Sequence, residues 1–214
     1  MQPQMRQLLY ATSNPGKVME MRSIVEGLGL SLVTPDEIGV VCDVPENGAT
    51  LRENAAQKAH AYLDALADQS YVVLADDSGI EIDALNGEPG IHVRRWTGQA
   101  RMTDEAIIAY CLERMAGVPS AARGAQFRTV FALGVPGGDL EFVDGTLRGV
   151  ILEEAASLRI DGFPFESIFF VPEWGLLLGE VHALPPECKA NFVTHRARAL
   201  QNVLPRLRAM LGRT

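Results

Sequence analysis

Short apolar runs typical of strands alternate with capped helical patterns along this chain, and the alternation limits the folds open to it. The apolar run over residues 8–12 predicts a buried strand. Asn14 then suits a helix cap, Pro15 suits the first helical position, and Gly29 marks the end of the helix. The chain is therefore expected to open with a strand, a turn and a helix.

Three further helices are indicated by their start signals. Thr50 and Glu53 have the spacing of a capping box and precede apolar residues at helical intervals. Thr103 is expected to cap a second helix that runs to about residue 115. The last helix begins near Thr194, and Pro205 is expected to kink or interrupt it.

Strand patterns fill the segments between these helices. Residues 71–75 form a β-branched apolar run, which is expected to stop at an acidic turn over 76–79 before a second strand at 80–83. Residues 127–135 and 140–151 flank a glycine pair and predict a hairpin, and residues 168–171 predict another buried strand. Together these elements indicate an α/β or α+β protein with a mixed sheet, and residues 1–214 are interpreted as a single domain.

Composition places the chain among ordinary globular proteins and excludes two classes of partner. Its 214 residues are 47% hydrophobic and 21% charged, and the net charge is -8. Proteins that coat nucleic acid or bind anionic membranes need a basic surface, so neither function is expected. No stretch approaches the length of a membrane helix, and three widely spaced cysteines predict reduced thiols in a cytoplasmic protein.

A glycine-containing turn at the start of the first helix is the first candidate site. Backbone N–H groups and the positive end of the helix dipole suit a phosphate there, and a lysine adds charge. The residues are Thr12, Ser13, Asn14, Pro15, Gly16 and Lys17. The turn lacks the glycine and hydroxyl positions of a P-loop, and a capped helix with a solvated lysine is the alternative interpretation.

Three other clusters are candidates for chemistry. Asp76 and Asp77, followed by Ser78, come after a buried strand, where adjacent carboxylates can bind Mg²⁺ or activate water; the alternative is a solvated Asx turn. His195 and Arg196 could contact an oxo group, a phosphate or a base, or simply form the first turn of a helix. The third cluster could stack on a base or belong to the core; it comprises Phe163, Pro164, Phe165 and Glu166.

In their order along the chain, these motifs resemble the inosine triphosphate pyrophosphatase family of house-cleaning enzymes. The resemblance spans residues 8–204 and rests on ATSNPGK at 11–17 with Glu20, ENGAT at 46–50 with ENA at 53–55, ADDSG at 75–79, NGEPG at 86–90, Gly162-Phe163, and His195-Arg196 with Ala199-Leu200. It implies an elongated two-lobed α/β fold around a long mixed sheet with flanking helices. The active site would lie in the cleft between the lobes, and the protein would as a rule be a homodimer.

The resemblance also implies an activity and residue roles. Members use Mg²⁺ to hydrolyse inosine, deoxyinosine and xanthosine triphosphates to the monophosphate and pyrophosphate. Asp77 would bind the metal and accept the proton of the attacking water, with Glu46, or else Asp43 or Glu53, as a further metal ligand. The remaining positions would contact the nucleoside triphosphate: the turn at 12–17 and Lys189 its phosphates, Ser78 the substrate, residues 163–166 the base, and His195 and Arg196 its 6-oxo edge.

The chain departs from the family pattern in the base segment. It has Gly-Phe-Pro-Phe-Glu-Ser at 162–167 where Gly-Phe-Gly-Tyr-Asp-Pro is usual, and Lys189 stands six residues before His195 rather than five. Two alternatives follow from this segment. One is a catalytically weak nucleotide-binding relative with a regulatory role, and the other is the same reaction on a different base.

Overall fold

The computed structural model describes residues 5–66, 70–98 and 101–212. Its strands are β1 Gln7–Tyr10, β2 Leu32–Val33, β3 Tyr71–Ile82, β4 Pro89–Gly90, β5 Gly124–Gly134, β6 Glu141–Ile151, β7 Phe169–Val171 and β8 Leu176–Leu177. Its helices are α1 Pro15–Gly27, α2 Leu51–Ala65, α3 Asp104–Arg114, α4 Leu178–Ala183 and α5 His195–Met210.

The strands form one mixed sheet, as the sequence predicted. The order is β2-β1-β3-β5-β6-β7-β8, with β4 paired to β3. β1 runs parallel to both β2 and β3, and Leu9 lies opposite Val73 in the β1–β3 register. The β3–β4, β6–β7 and β7–β8 pairs are antiparallel. Helices separate the parallel strands in sequence, which is the arrangement that parallel pairing requires.

The chain divides into two compact units, each with its own apolar core. Unit 1 comprises Met1–Ser78, Thr129–Gly145 and His195–Thr214, and unit 2 comprises Gly79–Arg128 and Thr146–Thr194. In unit 1, residues of β1 and β3 pack with α1 and α5, around Tyr10, Met21 and Leu200. In unit 2, α3 packs with β6 and β7, around Ile107 and Phe169. The expectation of an active site in a cleft between two lobes stays a prediction.

The predicted helix starts are confirmed by their caps. Asn14 Oδ1 accepts hydrogen bonds from the backbone N–H groups of Gly16 and Lys17, at 2.9 and 3.3 Å. Thr50 and Thr103 cap α2 and α3 in the same way. Pro205 lies inside α5, so it does not interrupt the last helix, and the alternative expectation of a kink stays a prediction.

The acidic turn expected at residues 76–79 is also wrong, because β3 runs unbroken from Tyr71 to Ile82. Aspartate is disfavoured in strands, yet both aspartates lie in the interior of this one. Buried cations from α1, α2 and α5 offset their charges, so tertiary contacts override the local preference. Gly79 permits the pairing with β4, since a Cβ there would lie 2.2 Å from the carbonyl oxygen of Gly90.

All three cysteines are free thiols, as the sequence predicted, with Cys111 buried and Cys188 exposed. Among the helices in the described ranges, none has the length and apolarity needed to cross a membrane.

Candidate active site

Two adjacent carboxylates in the middle of β3 form the centre of the site. Asp76 is fully buried and Asp77 is nearly so. Successive side chains of a strand point to opposite faces, so the two carboxylates meet different partners. All the partners described here belong to unit 1.

Asp76 lies among cations and hydroxyl groups. Its Oδ2 is 3.0 Å from Lys17 Nζ, 3.4 Å from Arg196 Nε and 3.1 Å from Ser78 Oγ, and its Oδ1 accepts a 2.8 Å hydrogen bond from Tyr10. Burial opposes the charged form of Asp76, but Lys17 and Arg196 outweigh it and hold the pKa of this carboxyl well below its ordinary value. Burial lowers the pKa of Lys17 in turn, against the attraction of Asp76.

Asp77 is held by two residues of α2. Asn54 Nδ2 donates to its Oδ2 at 3.0 Å, and Lys58 Nζ lies 3.4 Å from its Oδ1. The same ammonium group lies 3.1 Å from Glu46 Oε2, so Lys58 joins the two carboxylates that were predicted to hold the metal. Burial works against the charge of Lys58, but the carboxylates of Asp77, Asp76 and Glu46 prevail and raise its pKa.

Arg196 belongs to the same network. Its guanidinium is buried, donates to Glu20 Oε2 at 2.6 Å and to Ser78 Oγ at 3.2 Å, and contacts Asp76. Burial opposes its charge, but Glu20 and Asp76 outweigh that effect and raise its pKa. In the structure Arg196 binds these carboxylates. Its role in reading a base stays a prediction.

A glycine positions the start of α5 and so the neighbouring His195 and Arg196. A Cβ at Gly145 of β6 would lie 2.0 Å from the carbonyl oxygen of His195 and 2.5 Å from the backbone nitrogen of Ala199. Only glycine lets the strand approach the helix this closely. His195 itself is buried, at the first residue of α5.

The donor set suits a hard divalent cation. Within the described ranges, no group of three or more His, Cys, Asp or Glu side chains is arranged to hold a metal. Mg²⁺, however, is usually held by one or two carboxylates together with substrate phosphates and water. Asp77 and Glu46 both contact the ammonium group of Lys58. The two carboxylates therefore lie close enough to contact a single cation. The residues present therefore fit the metal that the sequence predicted.

Charge counting points the same way. The described ion pairs of this network join three cations, Lys17, Lys58 and Arg196, to four carboxylates. If all are ionised, the network has one more negative than positive charge. A divalent cation bound there would change the network to a net positive charge, which favours binding of an anionic triphosphate.

The predicted phosphate turn is positioned next to this network but is partly occupied. The amides of Gly16 and Lys17 already donate to the cap of Asn14, and the amide of Asn14 donates to Thr12 Oγ1 at 3.2 Å. Anion binding at this turn would therefore depend mainly on the Lys17 ammonium and the helix dipole.

The predicted base segment lies in unit 2, where residues 164–167 form a 3₁₀ turn. Pro164, Phe165 and Glu166 are buried, and Phe165 packs against Trp96 and Phe127. Phe163 is only half-buried. Its ring is thus the most accessible of the turn.

Lys189 is half-buried in a second 3₁₀ segment, Pro186–Asn191, which also belongs to unit 2. The described structure therefore brings Lys17, Asp77, Ser78 and Arg196 together with Glu46 within unit 1. Lys189 and the base segment belong to unit 2.

Several site residues were missed by sequence reasoning. Glu20 and Asn54 belong to the motifs of the resemblance but had no role assigned, Lys58 carries no motif of its own, and Tyr10 and Thr129 look like ordinary strand residues. Thr129 Oγ1 donates to the carbonyl oxygen of Asp77 at 3.1 Å. One signal was present: Asn54 and Lys58 stand four apart, on one face of a predicted helix.

The model of the Ham1 family matches residues 8–206 of the chain. The chain belongs to the Ham1 family. Among its relatives, a dITP/XTP pyrophosphatase of Geobacter sulfurreducens is 39% identical over 196 residues, covering 92% of this chain and 94% of the relative. Another, a dITP/XTP pyrophosphatase of Symbiobacterium thermophilum, is 40% identical over 206 residues, covering 96% and 97%. The resemblance identified from the motifs is thereby confirmed.

Solved Ham1 structures share the fold. The Staphylococcus aureus Ham1 protein has a TM-score of 0.75 at 30% identity and covers 95% of this chain and 99% of its own. A Ham1 protein from Coxiella burnetii has a TM-score of 0.74 at 30% identity, covering 96% and 100%. The mixed α/β architecture with one long sheet flanked by helices is therefore that of the Ham1 family.

Proposed function

We propose that this Ham1 protein hydrolyses dITP, ITP and XTP to the monophosphate and pyrophosphate, with Mg²⁺ as cofactor. The observation that supports this most is the pair of carboxylates on β3, each bound by a lysine from a different helix. Relatives at 39–40% identity that carry the name dITP/XTP pyrophosphatase support the same reaction.

Asp77 is proposed to accept the proton of the attacking water. Among the described residues, its two oxygens hold one side-chain partner each, Lys58 Nζ and Asn54 Nδ2. An ionised carboxylate has about four lone-pair positions, so each oxygen keeps room for a water molecule. The two α2 side chains therefore orient the base without blocking it, which general-base catalysis requires.

The lysines are proposed to bind phosphate oxygens. A triphosphate carries about four negative charges near pH 7, and charge grows on the leaving pyrophosphate during the reaction. An ammonium group has three N–H donors. Among the residues that the structure describes, Lys17 pairs with one carboxylate, Asp76, and Lys58 with two, fewer than the three donors of each ammonium group. Mg²⁺ held by Asp77 and Glu46 would supply further stabilisation of phosphate charge.

Base selection is proposed to follow the hydrogen-bond pattern of the 6-position. A site that donates to a 6-oxo group leaves its donors facing the amino group of adenine, and such a mismatch costs several kcal/mol when buried. His195 and Arg196 remain the predicted donors, and Phe163 the predicted stacking surface. The enzyme is further proposed to act in the cytoplasm as a homodimer, which sedimentation analysis would test, without a nucleic-acid or membrane partner.

The test measures pyrophosphate release with Mg²⁺ from dITP, XTP, dATP, dGTP and dCTP. Selective turnover of dITP and XTP is expected, and it should stop when the metal is chelated. Turnover of dCTP alone would refute the purine assignment. Measurable nucleotide binding without turnover of any substrate would instead favour the regulatory relative.

The Asp77→Asn variant tests the proposed base. Turnover should fall by about 10²–10⁴-fold, the usual contribution of general acid–base catalysis, while nucleotide binding without metal changes little. Asp64→Asn is the matched control, because Asp64 is an exposed carboxylate on α2. Near-normal turnover by Asp77→Asn would remove Asp77 from its proposed role.

A further inference from the structure

The turn that carries Phe163 is fixed at its first residue by an ion pair. Asp104 Oδ2 accepts a 2.8 Å hydrogen bond from the amide of Gly162, and Arg94 donates to the carbonyl oxygen of Gly162 at 2.9 Å. Arg94 and Asp104 are also bonded to each other. One ion pair therefore holds both backbone polar groups of the residue directly before Phe163.

A second pair fixes the other end of the turn. His182 Nδ1 lies 2.6 Å from Glu166 Oε1, and both side chains are buried. The ring of His182 also packs beside the ring of Phe163, with centroids 6.0 Å apart. The backbone of α4 approaches the same point, since a Cβ at Gly179 would lie 2.9 Å from the carbonyl oxygen of Glu166.

Phe163 is the residue of this turn that is proposed to meet the base. Its neighbours Pro164 and Phe165 are buried in the core of unit 2, whereas the ring of Phe163 is half-buried. The flanking residue Gly162 has φ +85°, a left-handed conformation that glycine adopts readily and that other residues rarely adopt. The ring is thus presented by a backbone that the Arg94–Asp104 ion pair and the His182–Glu166 contact hold in place.

We propose that Arg94, Asp104 and His182 are positioning residues that determine base affinity by holding Phe163 as a preformed stacking surface. This inference rests on the proposed function, which supplies the nucleotide base. Holding an aromatic ring in its bound position lowers the entropy that binding must remove. Stacking of a base on an aromatic side chain contributes roughly fivefold to 150-fold in affinity, and a mobile ring would lose much of it.

The test measures the Kd of dIMP by calorimetry, so that the result does not depend on turnover. Arg94→Met and His182→Leu should each weaken dIMP binding by about tenfold, an intermediate value in the range for base stacking. His182→Asn, whose amide can still donate to Glu166, should restore most of the affinity. Arg148→Met is the matched control. It removes another arginine–aspartate pair of unit 2, the exposed pair of Arg148 with Asp83.

A double-mutant cycle distinguishes positioning from general loss of structure. If Arg94 acts through Phe163, Arg94→Met will change the Kd little in a Phe163→Ala background. Additive effects of the two substitutions would overturn the inference, as would wild-type affinity in Arg94→Met and His182→Leu. If the wild-type protein neither hydrolyses dITP nor binds dIMP, both proposals are wrong; if it does both and the cycle is additive, only this inference is wrong.

Discussion

Replacing Gly145 by alanine should misplace the start of α5, and the structure gives the size of the displacement. The added Cβ would lie 2.0 Å from the carbonyl oxygen of His195, whereas real Cβ atoms essentially never approach heavy atoms within 3.0 Å. Strand and helix must therefore separate by about 1 Å, and a misplacement of this size can reduce catalysis by about 10²-fold. The 2.6 Å bond from Arg196 to Glu20 would be stretched beyond hydrogen-bonding range.

Two measurements check this prediction. The kcat/KM for dITP should fall by about 100-fold, which corresponds to about 2.7 kcal/mol of transition-state stabilisation. Overpacking of this kind lowers the free energy of unfolding by about 1–3 kcal/mol. For a chain of this size, a loss of about 2 kcal/mol lowers the Tm by roughly 4–8 °C.

Gly27→Ala is the control for the Gly145 variant. Gly27 is the last residue of α1, and a Cβ there would meet nothing within 4 Å. This substitution should leave kcat/KM unchanged and raise the free energy of unfolding by about 0.5–1 kcal/mol, because alanine favours a helix more than glycine does. The steric reasoning is refuted if Gly145→Ala matches the wild type in both Tm and kcat/KM.

Two further substitutions test the carboxylate network. Asn54→Ala removes the hydrogen bonds of Asn54 with Asp77 Oδ2 and with the amide of Gly48, so it should lower the free energy of unfolding in urea by about 1–3 kcal/mol and reduce kcat, whereas Gln57→Ala should do neither. Folding lowers the pKa of Asp76 below its ordinary value of 3.8. Ionised Asp76 therefore stabilises the fold fully at a pH well above 3.8, and this contribution is lost as the pH falls below that value. The difference in unfolding free energy between wild type and Asp76→Asn should therefore be constant from pH 8 to 5 and shrink below pH 4; a difference that grows in acid would contradict the network.

Local hydrogen bonding explains which elements the sequence predicted correctly. The caps at Asn14, Thr50 and Thr103 act on amides two or three residues away, so their spacing alone is enough. The hairpin of β5 and β6 likewise depends on a nearby turn. Lys17 and Asp77, from the predicted phosphate and acid motifs, belong to one network of buried ion pairs, while their roles stay predictions.

Long-range contacts explain the errors and omissions. The continuity of β3 depends on cations distant in sequence: Arg196 stands 120 residues after Asp76. Without them, two adjacent aspartates indicate a turn. Lys58 and Asn54 look like ordinary polar residues of an amphipathic helix, and only the packing of α2 against β3 gives them a role.

The location of Asp77, the proposed general base, on β3 rather than on a loop has a consequence for how the enzyme loses activity. Loops and helix ends open locally at small free-energy cost, whereas the central strand of a sheet opens only when the domain unfolds. The amides around Asp77 should therefore be among the last in the chain to exchange with deuterium. Heat should abolish catalysis and structure together, with no inactive but folded stage before the melting transition.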